Sequence, residues 1–112
     1  MAKNMSRPGE FEELVMLIVQ GLGENASGMS IYEALEEIGR KTSPGAVYTT
    51  ADRLIAKGFL KTWEGSDPKA GRTRRYFALT GSGSKALDEA EDERRSARNR
   101  AVASIGLAPR LV

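Results

Sequence analysis

The stretch that most constrains this chain runs from Ser43-Pro44 to Gly58, because it carries both a helix start and a helix stop. Ser43 is an N-cap residue, and Pro44 suits the first helical position, where its missing N–H costs nothing. Gly58 fits the left-handed position that closes a helix. Between them, Val47, Ala51, Leu54 and Ile55 make one apolar face. Just upstream, Ser30 and Glu33 have capping-box spacing. Ile31, Ala34, Leu35 and Ile38 then give a short apolar stripe that Gly39 ends. Only Arg40-Lys41-Thr42 separates the two segments, so they read as a helix-turn-helix.

Residues 1–8 form a leader, marked as flexible by Pro8-Gly9. A first helix follows, with Phe11, Leu14, Val15, Ile18 and Leu22 on one face and Gly21 and Gly23 at its end. After Gly58 the pattern changes. Phe59-Leu60-Lys61-Thr62-Trp63 reads as a strand, residues 64–71 as turn chemistry, and Thr73-Arg74-Arg75-Tyr76-Phe77-Ala78-Leu79 as a second strand. Together they predict a hairpin with a polar tip: a wing. Thr80 can cap a last helix over residues 82–100, whose apolar residues are sparse and small. The tail regains Val102, Ile105 and Leu107.

The chain has neither cysteine nor histidine, which excludes disulfides, thiolate or imidazole nucleophiles, and the usual zinc and haem ligands. Glu12-Glu13 and Glu36-Glu37 point in different directions on their helices, so they form no acid–base dyad. Gly81-Ser82-Gly83 lacks the spacing of a phosphate-binding loop. No enzyme, cofactor or metal is therefore expected. Trp63 could line a pocket for an aromatic ligand or belong to the core. The longest aliphatic run, residues 14–19, is too short to span a bilayer, and the N-terminus has no long apolar core. These features predict one cytoplasmic domain with no membrane partner.

Net charge is only +2, so its placement matters more than its sum. On a helical wheel, Gly45, Thr49, Asp52, Arg53 and Ala56 point away from the apolar face, with Tyr48 and Thr50 on its flanks. Small and hydroxyl groups near a helix start suit close approach to a groove wall, and Arg53 can reach a phosphate or base edge. Asp52 opposes DNA unless it pairs with a basic neighbour. Ser43 and Lys57 complete the candidate set on this helix. Between Gly65 and Arg75 lie Lys69, Arg72, Arg74 and Arg75 against the single anion Asp67, a local excess of three positive charges. Such cations can follow a phosphate backbone, or simply keep an exposed edge hairpin soluble. Arg74 and Arg75 should emerge on opposite faces, with one packing its stem against Trp63 or Tyr76.

In the last helix, Asp88, Glu89, Glu91, Asp92 and Glu93 precede Arg94, Arg95, Arg98 and Arg100. Acid before base complements the helix dipole and allows ion pairs three and four residues apart. An antiparallel copy would set acidic against basic halves, which points to a homodimer rather than a solvated single helix.

Two segments resemble the PadR-type transcriptional regulators. Ser43-Pro44-Gly45-Ala46-Val47-Tyr48-Thr49-Thr50-Ala51-Asp52-Arg53-Leu54-Ile55-Ala56-Lys57-Gly58-Phe59-Leu60 looks like the family's recognition helix. Gly71-Arg72-Thr73-Arg74-Arg75-Tyr76-Phe77-Ala78-Leu79-Thr80-Gly81-Ser82-Gly83 is similar to its wing strand and the start of the last helix. The resemblance implies a homodimer on a palindromic operator, usually repressing. It gives recognition roles to Tyr48, Thr49, Thr50 and Arg53 and wing roles to Lys69, Arg72 and Arg74. Gly28-Met29-Ser30 departs from the Gly-Tyr that opens the second helix in many members. A single helix and tail stand in place of a long effector domain.

The expectation is thus a mostly α chain with a small β-hairpin: a flexible leader (1–8), a winged helix-turn-helix DNA-binding domain (9–80), and a C-terminal dimerisation helix and tail (81–112). Its expected partners are double-stranded DNA, a second copy of itself, and a candidate small-molecule effector. The competing expectation is a winged-helix protein-interaction module that does not bind DNA.

Overall fold

A computed structural model describes residues 7–67, 69 and 71–104. Residues 1–6 of the leader and residues 105–112 of the tail, Ile105 and Leu107 among them, lie outside that range. Helix α1 (Glu10–Leu22) starts at Gly9, whose N–H donates to Glu12 Oε1 at 2.8 Å. Glu10, Glu12 and Glu13 in its first turn face the positive end of the helix dipole. Val15, Met16 and Val19 are buried, and Phe11, Leu14, Leu17, Ile18 and Leu22 pack around them. This apolar surface is wider than a single stripe because α1 touches every other helix and the hairpin.

Helix α2 (Gly28–Glu37) begins three residues before the Ser30–Glu33 pattern suggested. Ser27 is its N-cap: Ser30 N donates to Ser27 Oγ at 3.1 Å, and Ser27 N to Ser30 Oγ at 2.9 Å. A serine pair therefore makes the reciprocal cap. Ile31 and Leu35 are buried, whereas Ile38, expected on the same stripe, is 61% exposed just past the helix end. Gly39 follows at φ 84°.

Helix α3 (Pro44–Ala56) has the predicted signals at both ends. Ser43 Oγ accepts from Ala46 N at 3.1 Å, and Gly58 has φ 83°. Val47, Ala51 and Leu54 are fully buried.

Strands β1 (Leu60–Asp67) and β2 (Arg72–Leu79) pair antiparallel, from Leu60 opposite Leu79 to Asp67 opposite Arg72. The ladder thus runs well into residues 64–71, which had read as turn. An exposed two-stranded ribbon needs no apolar alternation, so its polar outer half resembles a loop in sequence. Phe77 N donates to Ala26 O at 2.9 Å, and Ser27 bridges Tyr76, tying the start of α2 to the outer edge of β2.

Helix α4 (Gly81–Ser104) is capped by Thr80, whose Oγ1 accepts from Gly83 N at 3.0 Å and donates to Gly58 O at 2.6 Å. Gly83, Leu87 and Ala90 dock it on the body. Beyond Ala90 it stands almost entirely in solvent, apart from ion pairs of Glu93 with Arg7 at 2.7 Å and of Arg94 with Glu13. The core they surround, with Phe77, Met16, Ile31, Leu35 and Leu54 fully buried, contributes roughly 1.5–3 kcal/mol per large side chain.

Candidate nucleic-acid interface

The face of α3 turned away from the core carries Gly45, Thr49, Asp52, Arg53 and Ala56, all exposed. Ser43 is exposed at its N-terminus, where its hydroxyl is engaged in capping. Thr50 is 5% exposed, not on the flank where the wheel put it. It lies three residues after Val47 and four before Leu54, so its side chain joins the buried row.

Tyr48 is half-buried, with its ring 6.3 Å from that of Phe77 at 55°. Its hydroxyl end lies over Gly28, where a Cβ would come within 2.1 Å of the oxygen. The first residue of α2 and helix α3 therefore interlock through an absent side chain. Tyr48 also forms one wall of a cleft of about 230 Å³, closed by Ser27 and Met29 on one side and by residues 72–75 on the other.

Lys57 belongs to a different neighbourhood. Its ammonium donates to Glu12 Oε1 at 2.7 Å and to Arg7 O at 3.0 Å, with both side chains of the ion pair largely buried. Burial alone would push the Glu12 carboxyl up. The Lys57 hydrogen bond, the Gly9 N–H, and the nearby charges of Lys57 and Arg53 together hold it below the ordinary value of 4.5. Lys57 is thus committed to the N-terminus of α1.

On the hairpin, the four cations divide. Arg74 Nε lies 2.7 Å from Asp67 Oδ2. Arg75 reaches across to α3, where Nη2 donates to Asp52 Oδ1 at 2.8 Å. Its Nε donates to Thr62 Oγ1 at 3.3 Å, and its guanidinium sits 5.1 Å from the Phe77 ring centre. Arg75 therefore packs on Phe77 rather than on Trp63 or Tyr76. Those two rings stack on each other at 6.1 Å and 19°. Lys69 and Arg72 are exposed and make no ion pair among the described residues. Of the two groups that hold Arg75, Thr62 was not singled out by pattern reading, whereas Asp52 finds in Arg75 the basic neighbour that its position called for. For Asp52 the available signal was a lone carboxylate on an otherwise neutral or basic face.

The sequence model of the "Transcriptional regulator PadR-like family" matches residues 16–89, more than half of the chain. The chain belongs to the PadR-like family. Among solved structures, this PadR-like chain is similar to a PadR-like transcription factor from Bacteroides fragilis. The identity is 27%, over 94% of this chain and 98% of that one, with a TM-score of 0.74. A PadR family transcription regulator from Clostridium difficile shares its fold at 21% identity over 88% of this chain and 100% of that one, TM-score 0.73. So does a PadR-like regulator from Bacillus cereus, at 18% identity over 86% and 91%, TM-score 0.70. No curated protein matches the chain by sequence.

The PadR-like family is one of transcriptional regulators, which bind DNA, rather than of enzymes. Among the described residues, no helix is long and apolar enough to cross a membrane, and no carboxylate cluster could hold a metal ion.

Proposed function

We propose that this PadR-like regulator represses transcription by binding a palindromic operator as a homodimer in the cytoplasm. In this reading α3 enters the major groove and presents Thr49 and Arg53, while Tyr48 meets the sugar–phosphate wall beside it. The hairpin follows the neighbouring backbone with Lys69 and Arg72. The observation that carries the proposal is the open Thr49–Arg53 face of α3, flanked by a hairpin whose exposed cations have no carboxylate partner among the described residues.

Dimerisation is supported by α4. From Asp92 to Ser104 every described residue except Val102 is exposed, and acidic residues give way to basic ones. A second, antiparallel α4 would cover that surface and oppose the two signs of charge. An effector belongs to the same proposal. Trp63, 43% exposed, borders a mainly apolar groove of about 300 Å³ between the hairpin base and the end of α1, suited to a planar aromatic molecule.

The deciding experiment is selection of duplexes from a random pool by the purified protein, followed by sedimentation of the complex. A two-fold symmetric consensus bound by two protomers is expected. Failure to enrich any sequence, with no DNA binding at low salt, would leave the protein-interaction module as the better reading.

A further inference from the structure

We propose that Asp52 sets how strongly this regulator binds DNA of any sequence, by holding Arg75 away from the phosphate backbone. This rests on the reading of α3 and the hairpin as the DNA-binding surface.

A carboxylate on the open face of a recognition helix repels phosphate, so its presence calls for a physical role. Asp52 is exposed three residues beyond Thr49 and beside Arg53. Its Oδ1 accepts from Arg75 at 2.8 Å, and its side chain keeps 60% of its accessible surface. The strand holds the guanidinium on its other sides, through Thr62 Oγ1 at 3.3 Å and the Phe77 ring at 5.1 Å. Thr62 is itself fixed, donating from Oγ1 to Tyr76 O at 2.7 Å. The resulting Asp52–Arg75–Thr62 chain joins recognition helix to wing and neutralises one wing cation locally.

Non-specific complexes depend almost wholly on phosphate contacts, so every unneutralised cation strengthens binding to any sequence alike. Base-edge contacts gain nothing from such a cation. An arginine balanced by Asp52 therefore lowers the sequence-independent part of the affinity and leaves base readout by Thr49 and Arg53 in place. Operator and non-specific complexes lose the same contact, so their ratio stays as the base readout sets it. Arg74 is balanced within the hairpin by Asp67, whereas Arg75 is balanced by the reading helix itself.

The test is a salt titration of binding to a mixed-sequence duplex by wild type, Asp52→Asn and the double variant Asp52→Asn/Arg75→Gln, with melting curves to show that each is folded. Asp52→Asn is expected to bind this duplex more tightly, with a log–log salt slope steeper by about 0.9, the release of one phosphate's counterions. Its preference for the selected operator over this duplex should stay unchanged, because the added contact is to phosphate. The double variant should lose the added slope. An unchanged slope in Asp52→Asn overturns the proposal. So does a steeper slope that persists without Arg75, which would reflect the deleted charge alone. If wild type shows no salt-dependent binding to any duplex, the DNA reading fails and this inference falls with it. If wild type binds and Asp52→Asn behaves identically, only this inference fails.

Discussion

The hydroxyl of Tyr48 occupies the space that a methyl group on Gly28 would need, 2.1 Å from the ideal Cβ position. The two helices of the helix-turn-helix are held at close range by this vacancy. Gly28→Ala should force the ring outward into the cleft before residues 72–75 and destabilise the fold by about 1–3 kcal/mol, read as a lower urea midpoint. Adding Tyr48→Ala removes the clash, so the double variant should cost less than the sum of its parts. Strict additivity would show that the two residues do not interact.

Gly83 meets backbone instead of a side chain. A Cβ there would lie 2.1 Å from the Phe59 carbonyl oxygen and 3.0 Å from its carbon, neither of which can swing aside. Gly83→Ala is expected to cost about 3 kcal/mol and loosen α4 from the body. Gly81→Ala, with nothing within 4 Å of its Cβ, should leave stability almost unchanged. Equal melting temperatures for the two variants would argue against close docking of α4.

Glu12 and Lys57 predict an acid limb. Glu12 has a folded-state pKa below its ordinary 4.5, so the folded state favours its ionised form. Its contribution is therefore fully present above the unfolded value and disappears as pH falls below 4.5 through the lowered folded value. Glu12→Gln should flatten stability against pH in that acid window and leave the slope near neutrality unaltered. Lys57→Ala strands the buried carboxylate and should cost about 1–2 kcal/mol at pH 7. Chemical denaturation across pH measures both.

The proposed interface separates two kinds of residue. Arg72→Ala should weaken binding to all duplexes and reduce the salt slope by about 0.9. Thr49→Ala should leave that slope intact and change which bases are preferred at one position of each half-site. A selected consensus identical to wild type in Thr49→Ala would remove Thr49 from the readout.

The boundaries of α3 were legible because Ser43, Pro44 and Gly58 act through local geometry, which sequence reports directly. Local reasoning also placed Thr49 and Arg53 outward. The wheel put Thr50 on the flank of the apolar face, yet its spacing from Val47 and Leu54 sets it in the buried row. The Lys57–Glu12 and Arg75–Asp52 pairs join residues 45 and 23 positions apart, so they exist only once the helices and hairpin are packed. The outer half of the hairpin carries no periodic apolar signal because solvent bathes both of its faces.

From Ser84 to Ser104, α4 contains neither glycine nor proline, so nothing in that stretch provides a hinge. In the proposed dimer it would serve as a ruler between the two reading heads. Each residue of a continuous helix advances about 1.5 Å and turns about 100°, so its length sets both the distance and the rotational phase of the half-sites. Operator spacing would then be written in the number of residues along one rod, independent of the residues that read the bases.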